Sequence, residues 1–320
     1  MSEPTGVRLR VVMPVHNGMP YVHQALTSVL DDLPPDSEVV VVDDGSTDGT
    51  AQVVDGVCAI DDRVRILRNA RPSGVSGALN QGISAPGASE FVAVADADDV
   101  VLPGRFAAQL AALEAEPCLG AVSSEGRHMG PNGRVVGKVA VGPTSHEQFI
   151  AMRSRAQEIH IPHPAVTYRR RALDEAGLYD PTFDSAQDTE LMNRLVYSAG
   201  WEARRLRTPH VLYRIHESSM SFSRMSTQRS ISRYIAYRNR RQVDGLPALS
   251  YERWTVEHRP GRRTEWRWRR HDKGALYFRR AGLDWISGRP LRFAVHLAAA
   301  TVLHPRWVRM KVGIVRSRTA

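Results

Sequence analysis

The sequence predicts an α/β fold, a wound parallel sheet followed by a basic helical extension. Three observations predict it. Apolar β-type runs alternate with helix-patterned stretches through the first hundred residues. Three of those runs end in polar clusters: LRVVMPV at His16-Asn17, EVVVV at Asp43-Asp44-Gly45-Ser46, and FVAVA at Asp96-Ala97-Asp98-Asp99. The charge balance then reverses in the last third of the chain.

Each element follows from its local pattern. Residues 7–15 are Val-rich with little alternation, as a strand buried on both faces requires. From Tyr21 to Leu30, apolar residues at 22, 25, 26, 29 and 30 mark one helical face, and Pro34-Pro35 end it. Glu38–Val42 is the next strand. Ser46 to Thr50 offers N-cap side chains for a short helix at Ala51–Val57. Val64–Leu67 reads as a strand, Ser76–Ile83 as a helix, Phe91–Ala95 as a strand, and Leu102–Glu116 as a helix opened by Pro103. Turn-rich hairpins are expected from Gly126 to Gly142, and an amphipathic helix over Asp188–Ser198, stopped at Gly200. The strand–helix–strand alternation predicts a βαβ-wound parallel sheet.

Composition bounds the rest. With 42% hydrophobic and 24% charged residues and no low-complexity tract, the chain has the make-up of a soluble globular protein. No window approaches the roughly 18–20 apolar residues that span a bilayer. The start, MSEPTGVRLR, does not read as a secretory signal, and Cys58 and Cys118 lack metal or redox spacing, so a cytoplasmic location with both thiols reduced is expected. The net charge of +9 is unevenly placed: residues 221–320 hold 23 Lys/Arg against 6 Asp/Glu, and the first 220 hold 20 against 28. A basic tail on an acidic body predicts a polyanionic partner for the tail.

The polar clusters carry the chemistry. Ligands of open α/β sheets bind at the carboxyl ends of the strands, and here three strands deliver carboxylates to that edge. Asp96 and Asp98, two apart on an extended segment, can face one cation, and hard oxygen donors suit Mg²⁺ or Mn²⁺. An isolated Asp-rich turn capping the next helix would look similar, but its position straight after an apolar strand favours the metal. At Asp43–Asp48 a strand-end carboxylate can accept a base N–H, and Thr47 and Asp48 also suit plain capping.

These motifs together resemble a known family. VVMPVHNGMPYVHQALTSVL, VVVVDDGSTDGT, GVSGALNQGI, FVAVADADDVVLPGRF, IPHPAVTYRRRALDEAGLYD, AQDTELMNRLVYSAGW and LYRIHESSMS match, in order and spacing, the inverting glycosyltransferases of family 2. The resemblance covers roughly residues 7–222. It implies the GT-A fold, the Rossmann-like fold of nucleotide-diphospho-sugar transferases, over residues 1–222, with a basic and mainly helical extension over 223–320. It implies a nucleotide-sugar donor lined by Pro14, Val15, His16 and Asn17, with Asp44 on the base and Asn80 shaping the pocket. Asp96, Ala97 and Asp98 become the DxD motif, with Asp98 foremost and His216 as a further ligand of a divalent metal, Mg or Mn. Asp188 becomes the general base toward a glycan or lipid-linked acceptor, in surface polysaccharide or glycolipid assembly.

Two departures stand out. Gln187 precedes Asp188 where the family commonly has Glu, and Leu79 occupies a position where Arg often occurs. Two other functions share the features: a nucleotidyltransferase making an activated sugar, and a non-catalytic nucleotide-sugar-binding protein. The first would carry a basic Gly-rich loop after its first strand, which PVHNGMPY lacks; the second would have decayed acidic residues.

His160 and His163 do not read as a shared metal site, because Pro162 and Pro164 enforce an extended backbone on which the two face apart; His163 is placed at the border of the acceptor pocket. In the tail, Trp and Arg interleave in TEWRWRRHDKGALYFRR. Such a segment suits the headgroup region of an anionic membrane, which would place the chain peripherally on the inner face of the cytoplasmic membrane, or a solvated face packed by its Trp residues. Nucleic acid, which the same interleaving could bind, is the weakest of the three.

Overall fold

The computed structural model describes residues 6–183, 185–216 and 225–310. The boundary expected at residue 222 therefore lies outside the described residues. The described chain divides into two compact units. The first comprises residues up to His128, Gly137–Arg214 and Ile235–Ala248; the second comprises Met129–Val136, Ile215–Tyr234 and residues from Leu249 onward.

The first unit is built on a mixed sheet. Strands β1 (Val7–Val15), β2 (Ser37–Asp43), β3 (Val64–Arg68) and β4 (Ser89–Val94) run parallel in the spatial order β3-β2-β1-β4. Helices α1 (Val22–Asp32), α2 (Thr50–Cys58) and α3 (Gly74–Ile83) connect them. Beyond β4 the sheet continues through β8 (Thr167–Arg169), β6 (Leu119–Met129), β9 (Glu202–Arg214) and the short β5 (Val100–Val101), with β7 (Val135–Val139) paired to β6. Here the direction changes, since β8 is antiparallel to both β4 and β6, and β5 to β9. Up to Arg214 this unit also holds α4 (Arg105–Ala115), α5 (His146–Ser154), α6 (Arg170–Ala176) and α7 (Gln187–Tyr197), with a 3₁₀ turn at His163–Ala165.

The Val-rich runs are continuous because both faces of the sheet are covered. Leu9, Val11 and Met13 of β1 point into one core with Ala25, Leu26 and Val29 of α1 and Phe106 and Leu110 of α4. Val12 points the other way, into a core with Leu79 and Ile83 of α3 and Leu191 and Leu195 of α7. The period of two along the strand divides its side chains between these layers. Helix α3 lies so close that a Cβ on Gly82 would meet Val12 Cγ1 at 2.4 Å. Glycine is required there by contact.

The second unit is helical. It holds the start of α8 (Met225–Val243), then α9 (Tyr251–Glu257), α10 (Arg262–Ile286) and α11 (Pro290–Leu303). Trp254 of α9 packs against Tyr234 and Tyr251, and Arg233 lies 3.7 Å above the Trp268 ring. Helices α10 and α11 form a hairpin stapled by buried Asp284, which accepts from His296 Nδ1 at 2.6 Å. Among the described residues, no helix is long and apolar enough to cross a membrane.

Candidate active site

Parallel pairing of β2, β1 and β4 brings their carboxyl ends side by side. Pro14 and Val15, the last residues of β1, stand beside Val42 and Asp43, and the Asp44 N–H donates to the Val15 carbonyl at 2.8 Å. The two following loops are tied together by short polar side chains. Asn17, at a left-handed φ of 54°, takes Thr47 N–H on its Oδ1 at 2.8 Å and donates its own N–H to Ser46 Oγ at 2.9 Å. Gly18 N–H donates to Thr50 Oγ1, and Met19 N–H to Asp48 Oδ2. His16 Nδ1 donates to the Asp44 carbonyl at 2.9 Å, which leaves Nε2 to accept from Asn17 Nδ2 at 3.2 Å. In that network the Nδ1 proton faces the Asp44 carbonyl.

Asp44 is buried, and its carboxylate closes the amino end of α3. Oδ1 accepts from Asn69 Nδ2, Ser73 N–H and Ser73 Oγ, each at 2.8 Å, and Oδ2 accepts from Gly74 N–H at 2.9 Å. Burial pushes its pKa up, but the donors from Asn69, Ser73 and Gly74 outweigh it and hold the carboxyl below its ordinary value. Asn80 serves the scaffold: its amide donates to the Tyr179 carbonyl at 2.7 Å and accepts the Tyr179 N–H at 3.0 Å.

The acidic centre follows β4. Asp96, Asp98 and Asp99 each offer a carboxylate oxygen within 4.8 Å of the others. The strand ends at Val94, and a turn follows in which Asp99 N–H donates to the Asp96 carbonyl at 3.3 Å, so the third carboxylate folds back beside the first. Asp99 is therefore a member that alternation along an extended segment does not reveal; the turn-forming run of aspartates is the signal for it. Burial first, then Asp98 and Asp188, push Asp96 up to about 7. Asp99 lies well above the ordinary range, through burial and then its two neighbours. Crowded hard oxygen donors of one sign form a set suited to a divalent cation such as Mg²⁺ or Mn²⁺. Ala97 sits partly buried between them.

Two arginines missed in the sequence hold this centre. Arg105, fully buried on α4, donates to the carbonyls of Val94 at 2.6 Å and Val166 at 3.3 Å. Burial lowers its pKa to about 10, while Tyr213, Asp32, Asp96 and Asp99 favour its charged form. Arg214, at the end of β9, donates its N–H to Asp99 Oδ1 at 2.8 Å and Nε to the Asp98 carbonyl at 2.7 Å, and lies 4.3 Å over the Tyr21 ring. The motif YRIH pointed to His216; it is the arginine two residues earlier that locks the turn. His216 itself belongs to the second unit.

Asp188 occupies the first turn of α7, with Ala186 before it at φ 55°. Its charge reaches Asp96. It lines a small pocket with His160, His163, Tyr168, Thr189 and Met192. Thr189 Oγ1 donates to Asp188 Oδ1 at 3.4 Å and contacts His160 Nδ1 at 3.1 Å. His163 Nε2 lies 2.7 Å from the Tyr179 hydroxyl, and burial lowers its pKa despite the opposing pull of Asp188. A 3₁₀ turn begins only at His163, after Pro162 at ψ 108°, and both rings line this pocket.

Comparison with known proteins agrees with this architecture. A family model described as glycosyl transferase family 2 matches residues 10–178, more than half of the sequence, and the chain belongs to that family. The glycosyltransferase GlyG of Streptococcus pneumoniae is 33% identical over 93 residues, 29% of this chain and 31% of GlyG, so the match spans about a third of that relative. TarS 1–349 of S. aureus, solved in complex with UDP-GlcNAc, superposes with a TM-score of 0.55 at 17% identity, covering 93% of this chain and 90% of that one. The mannosyltransferase PcManGT of Pyrobaculum calidifontis, solved with GDP-Man and Mn²⁺, gives 0.51 at 20% identity over 98% and 82%. The fold is GT-A.

Proposed function

We propose that this chain transfers a sugar from a nucleotide-diphosphate donor to an acceptor hydroxyl, inverting the anomeric carbon. One arrangement carries the reading: a carboxylate on α7, beside a pocket, within electrostatic reach of a three-aspartate centre at the end of β4. Family membership supports it, as do likenesses to structures holding UDP-GlcNAc and GDP-Man.

The acceptor oxygen attacks the anomeric carbon as the bond to the nucleoside diphosphate breaks on the opposite face. Asp188 takes the hydroxyl proton, a contribution of about 10²–10⁴-fold for a positioned base. The Thr189 hydroxyl orients that carboxylate. Pro14, Val15, His16 and Asn17 line the base and ribose, and Asp44 faces the base from the end of β2. Asn80 acts from behind, by fixing Tyr179, which in turn orients His163 at the border of the acceptor pocket. Asp96, Asp98 and Asp99 would hold a divalent cation. Bound there, the cation supplies positive charge for the leaving diphosphate. The acceptor is a glycan or lipid-linked glycan of surface polysaccharide or glycolipid assembly, met at the inner face of the cytoplasmic membrane.

A thermal-shift panel of nucleoside diphosphates and nucleotide-sugars, with and without Mn²⁺, tests this on the wild type and on Asp98→Ala. One base series should stabilise the wild type in a metal-dependent way; at a hundredfold excess over Kd the gain is about 2.7 kcal/mol. The gain should vanish in Asp98→Ala. No shift with any nucleotide, on folded protein with metal present, would overturn the transferase reading.

A further inference from the structure

Helix α11 is apolar on every side: PLRFAVHLAAATVL holds one arginine and one histidine. A helix of that composition is normally buried all round. Here it is not. Among its residues Ala300 is fully covered, on the side facing α10, where the Ala300 carbonyl and the Leu303 Cβ approach Gly274. Leu291 is 84% exposed, Val295 66% and Val302 74%. At about 100° per residue these three fall within a stripe about 40° wide, with Ala298 beside them and Ala300 on the far side. The stripe thus points away from the hairpin. At the amino end of the helix, the exposed Trp285 ring packs 5.3 Å from Phe293.

The surroundings are strongly basic. Residues 262–310 hold twelve Lys/Arg against three Asp/Glu. The three acids are engaged within the unit: Asp272 by Arg229, Glu265 by Arg269, and Asp284 by His296 and Arg292. Arg289, Arg292, Arg306 and Arg309, at the two ends of α11 and just beyond it, are exposed. A second copy of this face would bring like charge to like charge. An anionic lipid surface complements it, accepting the aliphatic stripe among the upper acyl carbons and the arginines among the headgroups.

We propose that the outward face of α11 is a membrane-docking surface that lies in the plane of an anionic bilayer, with Leu291, Val295 and Val302 inserted and the flanking arginines on the headgroups. This deepens the reading of a membrane-presented acceptor by naming the surface that would hold the enzyme there. It is tested without donor or turnover, so its failure and that of the transferase reading are distinct.

The full-length protein is floated with phosphatidylcholine vesicles and with vesicles containing phosphatidylglycerol, at low and high salt. Three variants are compared with the wild type: Leu291→Ser/Val295→Ser/Val302→Ser, which keeps the charge, Arg306→Glu/Arg309→Glu, which keeps the stripe, and both combined. All substituted positions are exposed, so circular dichroism melts should match the wild type. Binding is expected to anionic vesicles, with weak or no binding to neutral ones. Each of the first two variants should lose about tenfold or more in partitioning, and salt should weaken the wild type. Absence of wild-type binding to anionic vesicles would overturn the proposal. So would full retention by the serine variant, which would leave charge alone. A dimer in light scattering that the serine variant abolishes, without vesicle binding, would assign the face to a second copy.

Discussion

Asp44 shows how one side chain links stability and site. Four donors converge on its two oxygens, and the residue is 5% exposed. Replacing it by alanine removes charge-assisted bonds and leaves the end of α3 without acceptors, an expected loss of about 2–4 kcal/mol, read as a lower urea midpoint. Because the folded pKa lies below the ordinary value, this stabilisation is complete above the unfolded carboxyl pKa, about 3.9, and fades as pH falls through the folded value. The acid limb of wild-type stability should therefore be steeper than that of Asp44→Asn, and matching limbs would contradict the assignment. Asp188 is the proposed general base. Asp188→Asn should lower kcat by about 10²–10⁴-fold while nucleotide affinity by calorimetry stays within about twofold. A loss in kcat below tenfold would remove it as the base. Asp96, Asp98 and Asp188 were legible because their residue type and place after a strand or opening a helix are local properties. Asp99 was visible as a letter but not as a partner, since its position depends on the turn and on Arg214 arriving from β9.

Elements differ in how much of their definition is local. The run at residues 7–15 matches β1, Glu38–Val42 falls inside β2, and Asp188–Ser198 overlies α7 to within a residue at each end. These carry strong periodicity or long β-branched runs. β8 and β9 were not anticipated: three residues, TYR, have no period, and EARRLRTPHVLYR places arginines and a proline where a strand pattern should be. Their pairing with β4, β6 and β5 decides them. The α3–sheet contact makes a prediction of the same scale. Gly82→Ala favours the helix intrinsically by roughly 0.5–1 kcal/mol. Its Cβ would nevertheless meet Val12 at 2.4 Å and Val42 at 3.1 Å. Overpacking should win, with a net loss of about 1–2 kcal/mol in denaturant titration. An unchanged or raised midpoint would show that α3 can retreat from β1.

For the whole molecule, the two units alternate along the chain. Residues 235–248, the later part of α8 and the stretch after it, rejoin the first unit. Asn239, fully buried, donates to Asn193 Oδ1 at 2.9 Å, and Arg238 meets Glu190 at 2.5 Å, a carboxylate that Arg194 also pairs at 2.8 Å. Removing one partner of a buried ion pair costs about 3–5 kcal/mol, so Arg238→Ala should lower Tm by roughly 10 °C although it lies far along the chain from β1–β4. A shift under about 2 °C would mean that Arg194 suffices. By itself, the sequence determined the alternation that makes a wound sheet, the strand ends that carry Asp44 and Asp96–Asp98, the helix that opens with Asp188, and the reversal of charge toward the tail. These are local patterns, set by periodicity and residue type. Tertiary structure alone decided that the sheet turns antiparallel beyond β4, that Asp99 and Arg214 close the acidic centre, that Asn80 serves Tyr179, and that α8 returns to the first unit. Each of those depends on partners dozens to more than a hundred residues apart, and pairing over such distances is set by which buried donors and acceptors meet when the chain is packed.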